Sequence, residues 1–155
     1  NERERTYMEN TLNTIVLCVL SVSYSKKNRV EAMRYIHRQG DVRGLIIEES
    51  IRNDFNMSPR YYLQAWVPEI GVTSEQPIQN LVANLKATPE SKHPNYVIFY
   101  SEENLEPRVN AMKEVFELEY KTTIQPSFID NVMYHLNPNN VNCTTYIYKI
   151  VKEKE

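Results

Sequence analysis

Glycine is scarce, with three residues in a chain of 155. A turn that cradles phosphate needs glycine so that backbone can approach the anion closely. The turn after the first apolar run reads Ser23-Tyr24-Ser25-Lys26-Lys27-Asn28 and holds none, which disfavours a dinucleotide fingerprint and a P-loop alike. Cysteine is rarer still. The two residues, Cys18 and Cys143, are too few for a disulfide framework, and they can pair only if segments from the two ends of the chain are neighbours. No charge of one sign dominates either: the net charge of −2 offers no field to hold a polyanion, so nucleic acid is not an expected partner. A long apolar run is also missing. Leu12 to Val22 is interrupted by Asn13, Thr14 and Ser21, short of the ~20 residues that span a bilayer. The mixed charges of Asn1 to Arg5 before it do not fit a signal peptide.

Chemistry-bearing clusters are absent in the same way. His37, His93 and His135 are scattered and the two cysteines stand 125 positions apart (143 − 18), so the clustering of a metal site is not present and no metal is expected. No nucleophile-elbow motif occurs. Neither a cofactor nor a catalytic residue is assigned from the residues themselves.

What the chain does contain is the material of one core. At 41% hydrophobic and 25% charged it matches a compact globular domain. Residues 1–155 are read as a single soluble α/β domain, with the length of one core and not two. Two patterns alternate along it. The Ile-Val-Leu-Cys-Val-Leu run within Thr14 to Tyr24 predicts a central, doubly covered strand. Asn28 to Gln39 predicts a helix, with Gly40 ending it in the left-handed conformation. Arg43 to Glu49 predicts a strand, giving a right-handed βαβ unit. Residues 50–60 read as loop, and Tyr61 to Trp66 as a short aromatic strand closed by Pro68 and Gly71. Ser74 to Lys86 predicts a helix, Tyr96 to Tyr100 a buried strand, and Ser101 onward a helix with Leu105, Val109, Met112 and Phe116 on one face. Leu118 to Ile124 predicts a strand. Ser127 to Leu136 fits either a short helix or irregular structure. Asn137-Pro138-Asn139-Asn140 is a turn before a last strand, Thr144 to Val151, placed antiparallel at an edge. The expected fold is a three-layer α/β/α, Rossmann-like sandwich with a mostly parallel sheet and an antiparallel edge strand.

Three groups of residues are candidates for function. Glu48 and Glu49 stand where a parallel strand ends, the edge at which open α/β sheets bind ligands. With Asp54 they supply carboxyl groups for acid/base work, although a solvated strand end is the simpler account. Tyr61, Tyr62 and Trp66 form an aromatic contact surface, or else a half-buried strand. Lys26, Lys27, Arg29, Arg34 and Arg38, with Arg43 nearby, form a basic face that suits anionic lipid head groups, and is otherwise a wet helix face.

The order of segments resembles the C-terminal extracytoplasmic domain of polytopic, lipid-sugar-dependent glycosyltransferases, of the mannosyltransferase type that assembles GPI anchors and N-glycans. The residues that carry the likeness are Arg29 to Gln39, Gly44-Leu45-Ile46-Ile47-Glu48, Met57-Ser58-Pro59-Arg60-Tyr61-Tyr62-Leu63, Tyr96-Val97-Ile98-Phe99-Tyr100-Ser101-Glu102-Glu103 and Thr145-Tyr146-Ile147-Tyr148-Lys149-Ile150. In that group a final membrane helix leads into the helix similar to Arg29 to Gln39. The resemblance implies a non-catalytic accessory domain on the periplasmic or luminal side, part of a longer membrane protein. Its implied partners are the membrane-embedded portion of the same polypeptide and a polyprenyl-linked sugar or acceptor glycan. The catalytic carboxylate of these enzymes lies in the membrane portion, so no catalytic position transfers to this sequence. Two rivals stand beside this reading: a free-standing enzyme using Glu48, Glu49 or Asp54, and a protein-interaction module using the Tyr61 to Trp66 surface.

Overall fold

The computed structural model describes residues 2–24, 27–49, 60–73, 78–87, 89–101, 105–136 and 144–154. Residues 50–59, Ser74, the turn at 137–140 and Cys143, each given a role above, lie outside them. Two helices come first, α1 (Glu2–Tyr24) and α2 (Lys27–Gln39), followed by β1 (Leu45–Glu49), a 3-10 turn (Arg60–Leu63) and β2 (Glu69–Thr73). Then come α3 (Ile78–Lys86), β3 (Tyr96–Ser101), α4 (Leu105–Val115), β4 (Phe116–Ile124), α5 (Phe128–Leu136) and β5 (Thr144–Glu153). By contacts, α1 and α5 belong to one compact unit and the sheet with its other helices to a second.

The protein is α/β, with a five-stranded sheet in the order β2-β1-β3-β5-β4. β1 runs parallel to both β2 and β3, whereas β5 runs antiparallel to β3 and β4. The sheet is therefore mixed, which corrects the expectation of a mostly parallel one. The last strand is antiparallel as expected but interior. It enters between β3 and β4, and β4 takes the edge.

Pleating sends successive side chains to opposite faces, and β1 and β3 are apolar on both. On one face Ile46, Val97 and Phe99 pack with Leu81 and Leu85 of α3, Val109 and Met112 of α4, and Phe116. Each such side chain contributes about 1.5–3 kcal/mol when fully buried. On the alternate positions Leu45, Ile47, Tyr96, Ile98 and Tyr100 are buried as well, and α2 buries Ala32, Met33 and Ile36. Gly40 follows α2 with φ of 73° and donates its N–H to the His37 carbonyl at 3.1 Å, the left-handed ending that glycine favours.

Two segments depart from expectation. Thr14 to Tyr24 is not a strand but the second half of α1, so the first βαβ unit does not exist. Met8, Leu12, Ile15, Val19 and Val22 recur at steps of four and three, a helical period. The intervening Val16, Leu17, Cys18 and Leu20 make the same stretch read as an unbroken apolar run. Cys18 accordingly is a free, exposed thiol and not a core residue. Tyr61 to Trp66 is not a strand either. Its first residues are in the 3-10 turn, Leu63 is buried and its carbonyl meets His37 Nδ1 at 2.9 Å. Gln64 then takes a φ of 51°, which breaks extension. The strand comes after it, at β2, with Gly71 inside. Ser127 to Leu136 resolves as helix α5, started by a reciprocal cap: the Asp130 N–H donates to Ser127 Oγ at 3.2 Å and the Ser127 N–H to Asp130 Oδ2 at 3.0 Å.

Candidate functional site

β1 and β3, being parallel, bring their carboxyl ends to one edge of the sheet, where β5 begins. Two buried polar clusters occupy that edge, one on each face. On the Phe99 face Glu48, 3% exposed, accepts a hydrogen bond from Arg108 Nε and forms an ion pair with it. The Arg108 guanidinium lies 6.0 Å from the centre of the Phe99 ring. Burial raises the Glu48 pKa above the ordinary carboxylate value, and the Arg108 hydrogen bond and charge oppose that rise without cancelling it.

On the opposite face Tyr100 and Thr145 are register partners, and the first turn of α2 is fixed to that rung. Asn28 Nδ2 donates to Thr145 Oγ1 at 3.1 Å, and Asn28 Oδ1 accepts the Arg29 N–H at 3.0 Å. The Arg29 guanidinium stacks 4.7 Å from the centre of the Tyr100 ring. Arg29 is 4% exposed.

The amino ends of the parallel strands carry a third network. Asn95 Oδ1 accepts the N–H groups of Arg43 at 2.8 Å and Gly44 at 3.4 Å, while its Nδ2 donates to the Asp41 carbonyl at 2.7 Å. The Tyr96 hydroxyl donates to Asp41 Oδ1 at 2.6 Å, and Lys149 Nζ donates to Asp41 Oδ2. Partial burial opposes ionisation of Asp41, yet the bonds from Lys149 and Tyr96 outweigh it and lower its pKa. Burial and the Asp41 charge together raise the Tyr96 pKa well above the usual phenol range. Arg43, Ile150 and Val151 are shared by two shallow clefts here, of about 470 and 490 Å³.

The expected site residues separate when placed on this frame. Glu48 is buried on the Phe99 face and held by Arg108. The Glu49 side chain and all of Asp54 lie outside the described residues, as do Lys26 and the Tyr61 side chain. Tyr62 is half-buried beneath Arg34, whose guanidinium is 4.8 Å from its ring centre. Trp66 is 92% exposed. The basic face divides too. Lys27 is exposed, and Arg34 and Arg38 sit 2.9 and 3.9 Å from Glu31. Arg29 departs from the exposed role expected of it, because its side chain turns inward with Met33 and Ile36, one and two helical turns further on.

Arg108, Asn28, Asn95 and Asp41 were not among the expected residues. For Arg108 a signal existed. It interrupts the apolar stripe of Leu105, Val109 and Met112, and a charge on a core-facing stripe demands a buried partner. Arg29 carries the same signal in α2. Among the described residues no cluster of His, Cys, Asp or Glu suits a metal ion, and no helix is long and apolar enough to cross a membrane.

No protein-family profile matches the chain, and comparison with curated proteins and with solved structures likewise yields no significant match.

Proposed function

We propose that this chain is a non-catalytic, extracytoplasmic accessory domain of an integral-membrane glycosyltransferase of the mannosyltransferase type, which uses a polyprenyl-linked sugar donor. The sheet unit is read as a three-layer α/β/α, Rossmann-like body. Support for that comes from α3 and α4 packing with the Phe99 face while α2 reaches Tyr100 and Thr145 on alternate positions.

The observation that carries the functional reading is α1. Residues 3–16 of this helix are exposed throughout, among them Tyr7, Leu12, Ile15 and Val16, with Met8 at 74%. In the same unit α5 exposes Phe128 at 80%, together with Val132, Tyr134 and Leu136. A lone helix is marginal in water and is stabilised by burying an apolar face. Side chains of this kind call for an apolar partner. Residues 10–24 carry no charge, a length of about 22 Å at 1.5 Å per residue. That falls short of a ~30 Å hydrocarbon core, so α1 packs against a membrane-embedded neighbour and does not span alone. It also occupies the place, just before α2, where the resembled enzymes have their final membrane helix. The coding sequence upstream of the Asn1 codon tests the reading. Apolar segments of ~20 residues are expected there, and an upstream sequence without them would contradict it.

A second reading, a protein-interaction module, is favoured by the exposure of Trp66. Aromatic anchors of this type carry much of the energy of interfaces.

A further inference from the structure

We propose that Arg29 and the first turn of α2 form a binding site for a phosphate-type oxyanion. Three observations meet there. α2 is 13 residues long and has no acidic residue in its first turn, so no carboxylate of that turn offsets the partial positive charge of its amino end. Arg29 adds a full positive charge at that end, buried to 4% exposure. Its Nη1 is enclosed and has no hydrogen-bond partner among the described residues.

The stacking on Tyr100 does not account for this charge. A guanidinium on an aromatic face gains about 2 kcal/mol when desolvated, whereas removing such an ion from water costs several. Arginine cannot escape by losing its proton. Two neighbouring carboxylates whose side chains are described are committed elsewhere. Glu31 lies against Arg34 and Arg38, and Glu48 is bound to Arg108 on the other face of the sheet. An oxyanion at the guanidinium edge satisfies the buried donor, the charge and the helix end together. Tetrahedral phosphate suits a guanidinium, which can offer it two parallel N–H donors.

The test uses the full chain and inorganic phosphate at low ionic strength, with chloride matched for ionic strength. Phosphate at ten times its Kd should raise Tm by about 3–6 °C, and chloride should not. Arg29→Met keeps the packing of the stem, removes the charge, and should melt higher than wild type without phosphate while losing the phosphate response. An equal response in Arg29→Met, or none in wild type, would overturn the site. If Arg29→Met does not fold, amide NMR of the wild-type chain decides: phosphate must move the signals of Asn28 to Val30, Tyr100 and Thr145, and changes only elsewhere would overturn it. Vesicles of phosphatidylcholine with and without phosphatidic acid then identify the source. Tighter binding to the acidic vesicles, lost in Arg29→Met, assigns a lipid phosphate; a response confined to inorganic phosphate assigns a soluble one. The site does not depend on the membrane reading, which the α1 side chains test separately.

Discussion

Removing Arg108 should expose the cost of the carboxylate that it holds. Glu48 is 3% exposed, and loss of one member of a buried pair typically costs ~3–5 kcal/mol because the other charge is stranded. Protonation sets the ceiling. A glutamate with an unfolded pKa of ~4.3 is protonated at pH 7 for about 3.7 kcal/mol, at 1.36 kcal/mol per pH unit. Arg108→Met should therefore lose less than that ceiling, about 2–3.5 kcal/mol at pH 7, because the raised wild-type value already carries part of the cost, and under about 1 kcal/mol at pH 5. The sign follows from the raised pKa of Glu48: its contribution is full below the unfolded carboxyl range and is lost as pH rises through the folded value. Without Arg108 the folded value rises further, so the loss extends to higher pH. The paired change Glu48→Leu with Arg108→Met removes both charges and should return to within about 1–2 kcal/mol of wild type. Urea unfolding followed by circular dichroism at pH 5 and pH 7 measures all of these. A cost under about 1 kcal/mol at pH 7, or one that does not change with pH, would mean that Arg108 does not hold a buried carboxylate at Glu48.

Asp41→Asn should cost about 1 kcal/mol at pH 7, a figure discounted because the Lys149 pair is partly exposed. Since the Asp41 pKa is lowered, its stabilisation is present above the unfolded carboxyl range and fades as pH falls through the folded value; acid titration of the variant by circular dichroism should lack that part of the decline. Gly44→Ala should lose about 1–3 kcal/mol in urea unfolding, because the new Cβ would stand 3.0 Å from Pro94 Cα and 3.3 Å from the Lys92 carbonyl, both backbone. Trp66→Ala should change stability by less than about 0.5 kcal/mol in the same assay, as expected for a side chain 92% exposed.

Local signals in the sequence were reliable where one short-range force acts. The continuous apolar run at Tyr96 to Tyr100 and the glycine at position 40 each meant one thing, and the structure agrees. They failed where two periods overlap. Val16, Leu17, Cys18 and Leu20 fill the gaps between Ile15, Val19 and Val22 so that a helical stripe looks like a strand, and the aromatic content of Tyr61 to Trp66 outweighed the turn that Gln64 makes. Strand order was not legible, because β5 reaches its place between β3 and β4 through pairings such as Tyr96 with Lys149 that no local pattern encodes. Glu48 was recognisable as a polar residue at a strand end. Its partner lies 60 positions away, and only the charge breaking an apolar stripe at Arg108 pointed to it. Arg29 was grouped with its basic neighbours by composition, although its spacing from Met33 and Ile36 places it on the buried side.

On the proposed reading the apolar side chains of α1 face a membrane-embedded neighbour, and vesicle partition tests whether they form a lipid-directed surface. The intact chain should co-float with neutral phosphatidylcholine vesicles at 0.5 M salt, where surface charge attraction is screened to about 4–5 Å. Leu12→Glu with Ile15→Glu should weaken that binding at least ~10-fold, or about 1.4 kcal/mol. A chain that stays free of vesicles at every lipid concentration, or a double variant that binds as wild type does, would mean that α1 presents no membrane-directed apolar face.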